Sequence, residues 1–345
     1  MPIKFVRFFG FVMSIGLLAA CASEPVDEPT VAPNTPMPMK PPAAQSPPTS
    51  SDTTPAPQMP LEEEQPGQPA ADDELPADDE LPIEQPGEPE RPAEPLEPTP
   101  NEHVTSRDAE FEWSGVIDPR DTVILRNVQG TIRVRPSSDG RIRINTSKTA
   151  GDSPMDSVEI EIHKHSRGVT LCTVYKNGIG GQVNQCRPDG SGQLNAYNND
   201  VQVTVEVELP AGPVVIGQTA AGNLTTEMLA NFVDFQSIHG SLSIRTTEPA
   251  LATSTSGTID VTMDPSNIAE YGLNELFFET TSGGVTVRVP EDSNLDVEAR
   301  TTAGRVQTDF NLNGEGTGQA AGRVNNGGVR LVLETVSGGI NLTAQ

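Results

Sequence analysis

Apolar and polar residues alternate through most of the later two thirds of the chain. The longest faultless run covers residues 201–209, where Val and Leu alternate with Gln, Thr and Glu. Because successive side chains of a strand point to opposite faces, this pattern predicts strands with one buried and one solvent-facing side. The pattern recurs at 132–135 and 158–163. Residues 227–235 come nearest to a helical pattern, and we expect one turn there at most.

A short phrase returns between residues 219 and 342: a few small Thr, Ser, Ala or Val residues, a glycine, then alternating apolar and polar residues. The first copies are about 17 to 18 residues apart, close to the lower end of known repeat periods. Each copy is too short to bury its own apolar face, so the copies must stack. The repeat glycines, including one in an earlier copy, are Gly130, Gly222, Gly240, Gly257, Gly283, Gly304 and Gly338.

This repeat predicts an all-β fold of the β-solenoid kind. Strands stacked in register about 4.8 Å apart would place all the repeat glycines in one column, where each supplies a bend that a Cβ would strain. The alternative is an antiparallel β-sandwich with glycine turns. The solenoid is favoured because hairpin turns would not repeat the same flanking residues.

Residues 1–20 have the pattern of a secretory signal. Lys4 and Arg7 precede an apolar run, 8–18, that is short for a membrane span. The run ends in Leu-Ala-Ala-Cys, which resembles the lipobox of bacterial lipoproteins and implies lipidation, as with palmitate, at Cys21. An ordinary secretory signal or an uncleaved anchor is the alternative.

The lipobox resemblance also implies a location in the bacterial cell envelope. Lipoproteins of this kind carry several acyl chains, and stable anchoring requires more than one. Ala22 and Ser23 lack the aspartate that retains such proteins in the inner membrane of many Gram-negative bacteria. We therefore expect the outer membrane, with the periplasmic or surface face left open.

Residues 21–107 differ completely in composition. They hold 22 of the 32 prolines, and 19 acidic residues against three basic ones. Such a segment cannot bury enough apolar area to offset its ordering entropy. We expect a disordered acidic tether acting as a stalk, with a proline-rich docking peptide as the alternative.

The predicted folded domain is 108–345. It carries 29 acidic residues against 17 Lys and Arg, which argues against a nucleic-acid partner. Cys172 and Cys186 form an even pair in an exported chain, so we expect a disulfide, with two free thiols as the alternative.

The order of elements resembles the bacterial "putative adhesin" domain family of unknown function. The resemblance rests on the strand that ends at 207–212 (Val-Glu-Leu-Pro-Ala-Gly) and on the stack of Thr/Ser-x-x-Gly phrases that follows. It implies a right-handed β-solenoid over about 111–342 and an envelope location. The cysteine-bearing loop and the glycine-rich insertion 313–328 depart from the simplest members.

Candidate catalytic or metal-binding groups are scattered. A solenoid enzyme would need clustered carboxylates on adjacent coils. His163 and His165 point the same way on a strand, but with no third ligand in view we predict no metal site and no cofactor. The glycine-rich loop 313–318 lacks the helix that a phosphate loop needs. The outward carboxylates, for which a solvated face is the favoured interpretation, are Asp260, Asp264, Glu279, Glu298 and Asp309.

A row of arginines could meet an anionic glycan, or could pair with glutamates across strands, which we favour. The arginines are Arg126, Arg133, Arg135, Arg141 and Arg143, and the glutamates are Glu159, Glu161, Glu206 and Glu208. Aromatic anchors are scarce, and Trp113 is expected to cap one end of the core.

These patterns predict a non-catalytic, lipid-anchored envelope protein for adhesion, scaffolding or envelope interaction. The alternative is a β-helix polysaccharide lyase or hydrolase acting on acidic glycans. The expected partners are the membrane, through the N-terminal lipid, and an envelope or extracellular protein or glycan. Self-association through an open strand edge at 338–345 is a third hypothesis.

Overall fold

The computed structural model describes residues 101–345. Residues 1–100, with the predicted signal peptide, Cys21 and nearly all of the predicted tether, lie outside the described residues. The described strands are β1 (Glu102–Ser106), β2 (Glu110–Gly115), β3 (Thr122–Gln129), β4 (Ile132–Pro136), β5 (Ile142–Thr149), β6 (Val158–His165), β7 (Gly168–Tyr175), β8 (Gln202–Leu209), β9 (Val214–Ala221), β10 (Leu224–Thr226), β11 (Val233–His239), β12 (Leu242–Arg245), β13 (Ala250–Ser256), β14 (Ile259–Thr262), β15 (Glu275–Ser282), β16 (Val285–Val289), β17 (Leu295–Ala303), β18 (Val306–Thr308), β19 (Gln319–Val324), β20 (Val329–Ser337) and β21 (Ile340–Ala344). Three short 3-10 turns lie at Met155–Ser157, Ile179–Gly181 and Ile268–Tyr271.

The strands form two large sheets. The larger has the order β1-β6-β7-β3-β9-β11-β13-β15-β20-β17-β19, and the smaller β18-β21-β16-β14-β12-β10-β4-β8-β5-β2. Pairing is parallel through the centre of both sheets, for example between β11 and β13 and between β12 and β14. Each coil places a longer strand in the larger sheet and a shorter one in the smaller sheet. The predicted β-solenoid is therefore confirmed, and the antiparallel sandwich was the wrong alternative.

The core lies between the two sheets and follows from the alternation. In β11, Val233 and Phe235 point inward and are fully buried. Facing strands supply residues such as Leu242 and Ile259. Full burial of one such side chain stabilises the fold by about 1.5–3 kcal/mol. The stacked coils together therefore provide the hydrophobic stabilisation that a single copy of the repeat could not.

The repeat glycines form one column at the turn between the sheets. Gly222 has φ +155°, and a Cβ there would overlap the carbonyl oxygen of Gly130 in the coil below. The Gly222 amide donates a 2.8 Å hydrogen bond to the His239 carbonyl of the next coil. Close approach of successive turns therefore excludes any side chain at this position. The order along the column is Gly130, Gly222, Gly240, Gly257, Gly283, Gly338, Gly304.

A Thr or Ser hydroxyl three residues before the repeat glycine donates a hydrogen bond to the carbonyl oxygen of the repeat glycine in the neighbouring coil. Thr280 Oγ1 donates to the carbonyl oxygen of Gly257 at 3.0 Å. The other bonds of this kind are Ser254 to Gly240 (3.4 Å), Thr335 to Gly283 (2.9 Å) and Thr301 to Gly338 (2.9 Å). The Thr and Ser of the repeated phrase thus bind one turn to the next, in addition to being small.

The last coil in sequence is not the last coil in space. β20 pairs with β15 on one side and with β17 on the other, and β21 lies between β16 and β18. The predicted open edge at 338–345 is therefore wrong, because the chain folds back after β19 and places these residues between two earlier coils. The stack ends instead at the short strand β18 and at β19, which pairs antiparallel with β17.

Strand β1 lies before the predicted domain boundary at residue 108. β1 adds to the edge of the larger sheet by antiparallel pairing with β6. Its Ser106 is buried and Val104 is partly buried. The remaining residues of β1 are exposed and polar, so its composition resembles that of the tether, and the strand forms because β6 offers an edge to pair with.

Candidate functional site

A row of mostly apolar side chains crosses the outer face of the larger sheet. We name these five residues the outer row: Ile216, Asp234, Leu251, Phe277 and Val332. They lie on adjacent strands, with Asp234 in register with Ile216 and with Leu251, and Phe277 in register with Val332. Val332 is buried and the others are partly exposed. Outward apolar side chains on four of five adjacent strands form a surface that a partner can cover.

Asp234 places a carboxyl group inside this apolar row. Its neighbours in register, Ile216 and Leu251, offer no charge, and Gln236 Nε2 donates a long 3.4 Å hydrogen bond to Asp234 Oδ1. Burial raises the pKa of Asp234 to about 6. The charge of the outer row therefore changes in mildly acidic solution.

The next outward positions along the same strands are polar. They include Gln218 and Gln236, whose amides lie 3.5 Å apart, and the register partners Glu279 and Glu334. Desolvation and, secondly, the Glu334 carboxylate raise the pKa of Glu279. Glu279 is thus the candidate carboxylate whose register partner is a second carboxylate, Glu334.

An open cleft of about 760 Å³ lies at the far end of the larger sheet, between β17, β19 and the loop 313–318. Its charged groups neutralise one another. Glu298 accepts hydrogen bonds from Arg300 at 2.9 Å and from Arg330 at 3.0 Å, and Arg330 also pairs with Glu275 at 2.7 Å. The hydrogen bond to Glu298 raises the pKa of Arg330. Both carboxylate oxygens of Glu298 are therefore occupied by guanidinium groups.

The remaining candidate carboxylates do not converge. Asp260 lies on the smaller sheet and forms an ion pair with Arg288. Asp264 caps the next turn by accepting the amide of Ser266 at 2.9 Å, and Asp309 accepts the amide of Ala344 at 3.1 Å. With Glu279 and Glu298 on the other sheet, the five groups form no single site.

The predicted arginine row pairs mostly with glutamates. Arg133 meets Glu206 at 3.4 Å, and Arg135 and Arg143 both meet Glu208 at 2.8 Å. The Arg143 hydrogen bond holds the pKa of Glu208 below its usual value. Two members of the row differ: Arg126 donates to Gln218 and to the Ser191 carbonyl, and Arg141 is exposed.

The predicted disulfide between Cys172 and Cys186 is present. It holds a loop over the outer face of β7, where Cys172 is fully buried and Thr170 donates a 2.6 Å hydrogen bond to the Pro188 carbonyl. The bond from Arg126 to Ser191 extends this cover to β3. The loop therefore covers the outer face of β7 and reaches β3.

The two histidines singled out in the sequence do not form a pair. His165 Nε2 lies 3.4 Å from Thr170 Oγ1, whereas His163 stacks on His103 of β1, with ring centroids 4.1 Å apart. Burial is the main cause that lowers the pKa of both His163 and His165. His103 lies in the segment assigned to the tether, so the sequence did not predict its contact with His163.

Trp113 lies on β2, the edge strand of the smaller sheet, and packs against the core. A Cβ at Gly115 would overlap its ring. The indole therefore covers this end of the stack, as expected.

These features define a β-solenoid with a flat, partly apolar outer face and, in its described part, no helix long and apolar enough to cross a membrane. The family described as Toastrack DUF4097 matches residues 122–343, and the chain belongs to this family. Among curated proteins, none matches the chain.

Two crystal structures are similar in outline. One is "a putative cell adhesion protein" from Clostridium sporogenes, 14% identical with a TM-score of 0.37, covering 68% of this chain and 100% of that one. The other is "a putative adhesin" from Bacteroides fragilis, 10% identical with a TM-score of 0.33, covering 68% of this chain and 97% of that one.

Proposed function

We propose that this protein is a non-catalytic, lipid-anchored component of the bacterial cell envelope that binds a partner, for adhesion or envelope scaffolding, through its outer row. The observation that carries the proposal is the row itself. Ile216, Leu251 and Phe277 are apolar at outward positions, where a strand of a solvated sheet normally carries polar residues. Removal of such apolar surface from water by another molecule is favourable in free energy.

The arrangement of charges supports a binding role over catalysis. The candidate carboxylates are distributed over both sheets, and Asp260 and Glu298 are neutralised by arginines. A glycan-hydrolysing site typically has two carboxyl groups that flank one bond. Glu279 and Glu334 are the pair that favours the alternative, a lyase or hydrolase for acidic glycans.

Anchoring rests on the sequence around Cys21. An N-terminal diacylated cysteine would hold the chain at the membrane, and the acidic, proline-rich residues 21–100 would let the solenoid extend away from it. We place the protein at the outer membrane because Ala22 and Ser23 lack the aspartate retention signal.

Anchoring is tested in a Gram-negative host fed labelled palmitate. The wild-type chain should incorporate label and sediment with outer-membrane vesicles, whereas Cys21→Ser should incorporate none. Equal labelling of both chains would disprove lipidation at this residue.

Binding is tested by photo-crosslinking of the full-length chain in envelope vesicles. Phe277→Glu should lose the crosslinked species that the wild type forms, because a charge in the outer row opposes its burial. Thr281→Glu, an exposed position on the same strand, is the matched control and should retain them. The same crosslinks in Phe277→Glu would exclude the outer row as the binding surface.

Catalysis is tested by incubating the protein with acidic polysaccharides and measuring new chain ends. We expect none. Release of chain ends by the wild type that disappears in Glu279→Gln would establish the enzyme alternative instead.

A further inference from the structure

Three side chains meet on one face of the antiparallel pair β1 and β6, at the free edge of the larger sheet. His103 lies directly across from His163, and Glu161 lies two residues before His163 on the same face of β6. We propose that His103, Glu161 and His163 form a binding site for a divalent transition-metal ion of the zinc type.

The distances between the ligand atoms fit such an ion. Glu161 Oε2 lies 3.3 Å from His163 Nε2 and 3.7 Å from His103 Nε2. One ligand atom from each of the three residues lies within 4.8 Å of the other two. Two ligand atoms at 2.0–2.1 Å from a tetrahedral zinc ion are about 3.3 Å apart. Rotation of the exposed His103 side chain closes the remaining gap.

The sheet already holds two of the three ligands in place. The side chains of His163 and Glu161 are 13% and 19% exposed, whereas that of His103 is 53% exposed. The rings of His103 and His163 are nearly parallel, with an interplanar angle of 10°. The cross-strand register thus brings the third ligand to the other two, and an ion can enter from the solvent side.

No cation of the protein competes for the Glu161 carboxylate within residues 101–345. Its ion-pair partners there are the two histidines. Arg107, which lies further along the same edge, is held by Glu159 at 2.9 Å. The carboxylate is therefore available to balance the charge of a bound ion.

The donor set selects the metal. Two imidazoles and one carboxylate suit Zn²⁺, Ni²⁺ and Cu²⁺, whereas Ca²⁺ and Mg²⁺ prefer ligand sets made of oxygen alone. Three protein ligands leave a fourth position for water or for a group of another molecule. A bound ion would also fasten β1 to β6 where the described chain begins.

Calorimetric titration of the full-length, untagged protein in detergent, freed of metal by chelation, tests the site. We expect one equivalent of Zn²⁺ with a micromolar or tighter dissociation constant, and no binding of Mg²⁺ or Ca²⁺ at the same concentrations. A wild-type protein that binds no zinc overturns the proposal.

Variants locate the ion. His103→Ala removes an exposed side chain on an edge strand, so the fold should persist, and we expect at least a tenfold loss of zinc affinity. Glu161→Gln should weaken binding in the same direction. His165→Ala, a histidine on the same strand outside the cluster, should bind as the wild type does. Unchanged affinity in His103→Ala, or an equal loss in His165→Ala, overturns the assignment.

Thermal unfolding gives a second readout, because an ion that binds only the folded state raises the melting temperature. Saturating Zn²⁺ should raise it for the wild type and for His165→Ala, and leave His103→Ala unchanged. An equal rise in all three proteins would place the ion elsewhere.

Discussion

The hydroxyl of Thr280 donates a 3.0 Å hydrogen bond to the carbonyl oxygen of Gly257 in the neighbouring coil. Thr280→Val keeps the shape of the side chain but leaves this partly buried bond unmade, so we expect a loss of about 1–2 kcal/mol in the free energy of unfolding. Urea unfolding measures it. Thr281→Val, at an exposed position next in sequence, is the control and should change stability little. Equal effects at both positions would refute the role of the hydroxyl.

Substitution of Gly240 tests whether the glycine column is needed for close approach of successive turns. A Cβ there would overlap the carbonyl oxygen of Gly222, so Gly240→Ala should cost about 3 kcal/mol or more, or prevent folding. Gly140 also has a positive φ, +74°, but has open space around it. Gly140→Ala should therefore cost about 1–2 kcal/mol. Circular dichroism during thermal unfolding compares the two, and similar losses would show that backbone strain, not overlap, is responsible.

Asp234 should make stability depend on pH. Its pKa is raised to about 6 by burial, so the folded state holds this proton more tightly than the unfolded state. Stability from this group is present at low pH and is lost as pH rises through about 6. Asp234→Asn should therefore be more stable than the wild type at pH 7.5, by about 1–2 kcal/mol after allowance for partial exposure.

The gain in Asp234→Asn should vanish near pH 4, where the wild-type carboxyl is protonated in the folded protein. Denaturant unfolding of both proteins at the two pH values measures it. A gain of the same size at both would mean that the carboxylate charge is not the cause.

The disulfide should stabilise both the whole domain and the loop that covers the outer face of β7. Cys172 and Cys186 are 14 residues apart, and closing a loop of that length is worth about 3 kcal/mol in the chain-entropy model. Reduction should lower the free energy of unfolding by this order and speed tryptic cleavage after Lys176, an exposed residue inside the loop that the disulfide closes. Arg305, an exposed arginine in a turn far along the chain, serves as the reference bond. Equal acceleration at both bonds would indicate global unfolding.

The sequence predicted those features of the fold that depend on the local pattern of residues. The spacing of Gly222, Gly240 and Gly257 sets the length of a coil, and alternation sets which side chains point inward. It did not predict the order of the last coils, because the phrases around Gly304 and Gly338 satisfy the same pattern and either could follow Gly283. After β17 the chain forms β19, which pairs with β17, and then places β20 between β15 and β17. This order depends on tertiary contacts that a local pattern does not encode.

The outer row could have been found from faults in the alternation. Phe277 stands between Leu276 and Phe278, and Ile216 follows two valines, which signals strands that are apolar on both faces. The histidine cluster could not be found in this way. His103 and His163 are brought together only by the pairing of β1 with β6, and the composition around His103 matches the tether.

The position of β20 and β21 between earlier coils governs when this domain can finish folding. In the finished stack β15 and β17 lie two strand spacings apart, about 9.6 Å, with β20 between them. Residues 329–344 follow every other described coil in the sequence. The coils therefore cannot take their final places one after another in sequence order, because the stack is complete only once β20 lies between β15 and β17.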